Sequence, residues 1–149
     1  MRFVLAGLAA VVLFGSSTAV VGQRSGWAER SCFHAVGHAD LRACLEGWAK
    51  VSANALAAEE KSSREYLATV DQVPDDVSRA LAAFEDASQA YRIYREKECD
   101  YVASLAFGGN GAGDRRLLCR IDLDRRRASD LKGARGSVSN NSVDRSNEK

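Results

Sequence analysis

The sequence contains a single proline, Pro74, and no two cysteines in the C-x-x-C spacing. Scarce proline leaves long helices uninterrupted, and the missing C-x-x-C pair argues against a cysteine-based metal site. Also absent are a nucleophile elbow, a phosphate-binding glycine motif followed by Lys-Ser/Thr, and a zinc-protease motif. We therefore expect a protein that is not an enzyme and that uses no cofactor.

A strong excess of one charge is lacking too. The chain has 21 Lys and Arg residues against 20 Asp and Glu residues. The balance is uneven, because the segment from Gly108 to Lys149 holds 10 basic and 6 acidic residues. This basic third suggests an anionic surface or partner, but its charge density is far below that of a nucleic-acid binder. No nucleic-acid partner is therefore predicted.

The N-terminus has the pattern of a secretory signal peptide. A short positive start precedes an apolar run from Phe3 to Phe14, and small residues follow, with possible cleavage after Ala19 or Gly22. An uncleaved membrane anchor is the competing interpretation, but the high Ala and Gly content of this run makes a poor anchor. We expect residues 1–22 to be a signal peptide and the mature protein to be periplasmic or secreted, without stable membrane insertion.

Four cysteines, Cys32, Cys44, Cys99 and Cys119, follow the predicted signal peptide. An even number in a small exported domain indicates two disulfides, for which three connectivities exist. The helix spacing favours the bonds Cys32–Cys44 and Cys99–Cys119. A Cys44–Cys99 bond also comes within about one helical turn, so that alternative stays open.

The remaining pattern predicts an all-α domain over 23–132, a small antiparallel three-helix bundle stapled by two disulfides. The first helix is expected from a cap at Asp40 to about Val70, and the second from Val77 to Ala106. Asp114 caps the third, which ends near Leu131, and the Ser-, Asn- and Gly-rich residues 133–149 are expected to be a disordered polar tail. The predicted inner faces are Leu41, Cys44, Leu45, Trp48, Val51, Ala55, Leu67 and Val70; then Val77, Leu81, Phe84, Ser88, Tyr91, Tyr94, Glu98, Tyr101, Val102 and Leu105; then Leu117, Leu118, Ile121, Ala128 and Leu131.

A family resemblance is carried by the segment from Phe84 to Leu131. The segment combines an aromatic-x-x-aromatic-Arg-acid-x-x-Cys pattern with a Gly-Gly loop and a second Cys that is followed by Leu and Arg. It resembles the LprI-like family of small exported bacterial domains, with Tyr91 standing for the usual Trp and Glu96 for the usual Asp. The resemblance implies a disulfide-bonded helical fold and a protein partner such as a lysozyme-type muramidase. The residues that match the motif are Tyr91, Tyr94, Arg95, Glu96, Leu123 and Arg127.

The glycine-rich loop before the third helix is the best candidate for partner binding. Glycines let a loop tip enter a cleft, and Asn110, Arg115 and Arg116 supply donors for carboxylates. The competing interpretation is a connection with solvated arginines. Arg95 and Arg127 are interpreted as groups that fix neighbouring helices.

The spacing of His34 and His38 would suit a metal on a helix, but Gly37 between them favours an irregular segment, so no metal site is predicted. The sequence thus predicts an exported protein-binding module, with a structural or accessory envelope protein as the alternative.

Overall fold

The computed structural model describes residues 27–32 and 34–146, so the predicted signal peptide lies outside the described residues. Over the described part the chain is helical and contains no strand. A short helix that the sequence did not predict comes first, and the three predicted helices follow it. The four elements are α1 (Trp27–Ser31), α2 (His38–Thr69), α3 (Pro74–Ser104) and α4 (Ala112–Ser146).

The three long helices run up, down and up, as the predicted antiparallel bundle requires. His38 and Glu59 of α2 contact Asp114 and Arg135 of α4 in the same order along both helices, so α2 and α4 are parallel. Helix α3 runs against both of them. Helix α4 packs extensively on α2 and α3, whereas α2 and α3 share a smaller interface.

The helix starts are built differently from the predicted aspartate caps. Gly37 precedes α2 without a side-chain capping hydrogen bond, and Asp40 lies in the first turn instead. Helix α3 begins at Pro74, which has no N–H to leave unsatisfied at a helix start. Asp114 likewise lies inside the first turn of α4, because that helix begins at Ala112. These carboxylates still favour the helices through the positive end of the helix dipole.

The buried positions of α2 are four or seven residues apart, the spacing of one helix face. In α2 the inward face carries two leucines and two serines, and Val51 and Ala55, which were expected inside, are exposed. That part of the prediction was wrong because it assigned the inner face from apolar residues alone, whereas serines occupy two of the core positions. The buried residues of α2 are Leu45, Ser52, Leu56 and Ser63.

The same error affects the second half of α3. Tyr94, Tyr101 and Leu105 were expected inside, but all three are exposed. The three-and-four spacing instead turns Arg95 and Cys99 inward. A charged residue at a core position therefore shifted the predicted face by one residue.

Both predicted disulfides are confirmed. Cys32 bonds to Cys44, and Cys99 bonds to Cys119. The first ties the segment after α1 to α2, and the second joins α3 to α4. All four cysteines of the sequence are therefore used.

Helix α4 extends well past its predicted end at Leu131 and continues to Ser146. The segment from Gly133 that was expected to be a disordered tail is therefore helical over 133–146, while 147–149 lie outside the described residues. A tertiary contact accounts for the start of this extension. Arg135 donates hydrogen bonds to the main-chain oxygen of Glu59 at 3.1 Å and to Oγ of Ser63 at 2.8 Å. The disordered tail was predicted from local composition, which carries no information about this contact with α2.

Candidate functional site

The loop between α3 and α4 spans residues 105–111 and lies at the end of the bundle where α2 begins. Asn110 is exposed in this loop, and Arg115 is exposed one turn into α4. Within the described residues Arg115 makes no ion pair. Arg116 differs, because its Nη2 lies 2.8 Å from Oδ1 of Asp100 on α3 and forms an ion pair with it. The structure thus places the three predicted partner-binding residues together but leaves only one guanidinium uncommitted.

Phe107 is the feature of this loop that the sequence reading missed. Its side chain is 91% exposed, and its backbone has a φ of 47°, in the left-handed region. For a residue with a Cβ, that conformation costs about 1 kcal/mol. Gly108 follows with a φ of 82°.

Further exposed aromatic side chains lie on the outer face of α3. Tyr101 and Tyr94 lie seven residues apart on this helix, and both are exposed. Leu105, at the end of the helix, is also exposed. The loop end of the molecule therefore combines apolar side chains with the free cation of Arg115.

The family-motif residues form a buried polar network between α3 and α4. Nη1 of Arg95 donates to Oδ1 of Asp124 at 2.8 Å, and the hydroxyl of Tyr91 donates to the same oxygen at 3.0 Å. Asp124 is almost fully buried. Burial of Tyr91, together with the neighbouring negative charge, raises the pKa of its hydroxyl well above its usual value. This network fixes two helices and faces away from solvent.

Glu96 extends the network outward. Its carboxylate accepts hydrogen bonds from Arg95 and from Arg120 of α4. Burial acts to raise the pKa of Glu96, but the hydrogen bonds and charge of Arg120 and Arg95 outweigh it, so the pKa lies below its usual value. Burial acts to lower the pKa of Arg95, but the carboxylates of Asp124 and Glu96 outweigh it, so this pKa lies above its ordinary value.

The remaining motif residues have packing roles. The guanidinium of Arg127 lies 5.6 Å from the ring centroid of Tyr91, a cation–π distance. Leu123 packs against the cluster that contains the Cys99–Cys119 bond. Tyr94 alone among the motif residues is exposed to solvent to a large degree.

A second polar cluster, which the sequence reading did not find, lies where α4 starts. Nε2 of His38 is 2.9 Å from Oδ2 of Asp114, a largely buried carboxylate, and Nη1 of Arg42 is 3.8 Å from Oδ1 of that residue. His34, expected in an irregular segment, lies in the turn before α2. Among the described residues no three His, Cys, Asp or Glu side chains are grouped to hold a metal ion.

An open apolar groove of about 330 Å³ separates α2 from α4 on another face. Trp48, Val51 and Ala55 of α2 line it, and Arg125 of α4 completes its wall. The described helices include none that is long and apolar enough to cross a bilayer.

These features define a small all-α module whose loop end is fixed by disulfides and exposes an aromatic residue and a cation. The chain belongs to the lysozyme inhibitor LprI family, whose family model matches residues 32–131. This range includes all four cysteines and extends the resemblance seen from Phe84 to Leu131. No curated protein and no solved structure is significantly similar to the chain. The two disulfides and the family together indicate an extracytoplasmic protein.

Proposed function

We propose that the mature protein is periplasmic or secreted and inhibits a lysozyme-type muramidase by placing the loop between α3 and α4 in its substrate cleft. The family suggests the partner. Muramidases of this type carry two catalytic carboxylates in an open cleft. A guanidinium is a suitable donor for such a carboxylate, and an aromatic side chain fills the apolar part of a cleft.

The observation that carries this proposal is the exposure of Phe107 and Arg115 at the same end of the bundle. Phe107 is exposed on a left-handed backbone, and the guanidinium of Arg115 makes no ion pair within the described structure. A strained backbone is a feature that proteins keep at binding sites. We infer that these two residues make the main contacts with the muramidase.

The base of the loop is already ordered before a partner arrives. The Cys99–Cys119 bond joins the two helices that flank the loop. A loop fixed in this way loses less conformational entropy on binding, which favours affinity. The disulfide thus supports the proposed role of the loop without contacting the partner.

A cell-wall lysis assay tests the proposal. The oxidised exported protein is titrated against several lysozyme types, and the double variant Phe107→Ala/Arg115→Ala is compared with it. We expect the variant to need at least about tenfold more protein for half-inhibition, since aromatic and arginine residues dominate such interfaces. Arg126→Ala, an exposed arginine on the same helix, is the matched control and should inhibit normally.

Two results would count against the proposal in different ways. Full inhibition by the double variant, with helicity intact, would keep the function and reject these residues. Absence of inhibition by the unaltered protein at large excess, for every lysozyme tested, would reject the function itself.

The alternative is an accessory envelope protein that binds a partner without blocking an enzyme. The exposed tyrosines of α3, Tyr94 and Tyr101, favour it, because they present an apolar face outside the loop. Under this alternative, Tyr94→Ser/Tyr101→Ser would abolish capture of the partner, while lysis by lysozyme would stay unaffected by either protein.

A further inference from the structure

A small cavity of about 270 Å³ lies where α2, α3 and the start of α4 meet. Its charged lining consists of three arginines, Arg42 of α2 and Arg116 and Arg120 of α4, and no carboxylate lines it. Three guanidinium groups from two helices thus surround one cavity, and each is also paired with a carboxylate that does not line it. Such a pocket favours an anion small enough to enter it.

Carboxylates hold two of these arginines from outside the cavity. Arg116 forms a 2.8 Å ion pair with Asp100, and Arg120 donates a hydrogen bond to Glu96. A guanidinium has five N–H donors, so one or two such bonds leave others for a ligand. Nε of Arg120 has no hydrogen-bond partner among the described residues. The external carboxylates therefore orient the guanidinium groups without exhausting their donors.

The third arginine, Arg42, lies against a glycine, pairs with Glu46 and is near Asp114. A Cβ on Gly113 would lie 2.3 Å from Nη1 of Arg42, so the guanidinium rests directly on the backbone of α4. Nε of Arg42 bonds to Glu46 at 3.2 Å, and Nη1 lies 3.8 Å from the buried Asp114, beyond hydrogen-bond distance. Gly113 also lies in the first turn of α4, where the helix dipole is positive.

The rest of the lining identifies the kind of anion. Ala103, Ala112 and Leu117 contribute aliphatic surface beside the arginines. This surface suits the carbon atoms next to a carboxylate better than an anion that is polar on all sides. We propose that this pocket binds a carboxylate carried on an aliphatic stem, with Arg42, Arg116 and Arg120 as its donors. The pocket lies near the loop, but this proposal does not rest on the proposed function.

NMR titration of the oxidised exported protein, without any muramidase, tests the pocket directly. The probe is Nα-acetylglutamic acid α-amide, and its uncharged counterpart is Nα-acetylglutamine α-amide. We expect saturable shifts of the amides of Gly113 and Arg116 with the acid and none with the amide. Equal responses to both probes would overturn the proposal, as would inorganic phosphate binding as tightly as the acid.

Gly113→Ala tests the pocket without removing a charge. The added methyl group must displace the end of Arg42, so binding should weaken by about tenfold, the loss of one charge-assisted bond. Gly133→Ala on the same helix meets nothing within 4 Å and is the control. Arg42→Gln/Arg116→Gln should abolish binding, and unchanged affinity in both pocket variants would refute the assignment.

A third probe separates the sources of the carboxylate. Tighter binding of the glutamic acid derivative indicates an acidic side chain of a protein, and tighter binding of N-acetylalanine indicates a peptide C-terminus. Either preference supports a carboxylate pocket. Because no muramidase is present, loss of the pocket proposal leaves the inhibition assay unaffected, and the two proposals fail independently.

Discussion

Arg95 of α3 and Asp124 of α4 form a 2.8 Å ion pair at core positions of the bundle, where an apolar pair would be usual. The carboxylate is almost fully buried, and the guanidinium is mostly buried. Tyr91 adds a hydrogen bond to the same carboxylate oxygen. The pair therefore sets which faces of α3 and α4 meet.

Removing the carboxylate should be costly. Asp124→Ala leaves Arg95 charged and without its main partner, so we expect a loss of about 3 kcal/mol in the free energy of unfolding. Urea denaturation followed by circular dichroism measures this. Asp130→Ala, on an exposed face of α4, should change stability by less than about 0.5 kcal/mol. Equal effects of the two variants would contradict the structural role of the pair.

The two disulfides should contribute unequally. Cys99 and Cys119 are 20 residues apart and join two long helices, whereas Cys32 and Cys44 are 12 apart and hold only the short α1 segment. Replacing Cys99 and Cys119 with serines should lower the free energy of unfolding by about 3 kcal/mol, and replacing Cys32 and Cys44 should lower it less. Thermal melting of the two double variants gives the order, and the reverse order would show that α1 contributes more to the core than its size implies.

Arg135 should stabilise the extension of α4 beyond Leu131. Arg135→Ala removes hydrogen bonds to Glu59 and Ser63, and we expect a loss of about 1–2 kcal/mol and lower helicity. Lys132→Ala, an exposed neighbour on α4, is the control. Hydrogen exchange of the amides at 132–137 locates the effect. Unchanged protection there would mean that α4 is helical without this contact.

Glu96 should make stability depend on acidic pH. Its pKa in the folded protein lies below the ordinary value of 4.5, because Arg120 and Arg95 outweigh burial. The stabilisation is therefore fully present above about pH 5 and is lost as the pH falls through the folded-state pKa. Glu96→Gln should be less stable than the unaltered protein near neutral pH, and the difference should shrink below about pH 4.

The control for this comparison is Asp86→Asn, which removes one negative charge from an exposed position of the same helix. Denaturant midpoints measured across the acidic range give the comparison. A constant difference between Glu96→Gln and the unaltered protein at every pH would show that the carboxylate does not act through its charge.

The sequence predicted the number of long helices, the disulfide pairs and the position of the loop, because these depend on helix-forming composition, cysteine spacing and glycine. It failed on parts of the faces, since core positions such as Ser52 and Ser63 are polar and give no hydrophobic signal in the sequence. The prediction of where α4 ends was wrong because the extension depends on the contact of Arg135 with α2. The arginine pocket was missed because its members are far apart in the chain and meet only when α2 lies parallel to α4.

The two covalent cross-links are both at the end of the bundle that carries the loop. The opposite end, around Thr69 and Pro74, is held by packing and by exposed ion pairs such as Arg64 with Glu85. Such pairs weaken as ionic strength rises. The molecule should therefore open from this uncross-linked end first, while the loop and the arginine pocket keep their shape. The two proposed binding surfaces are thereby separated from the least stable part of the described chain, so partial unfolding of that end would leave them intact.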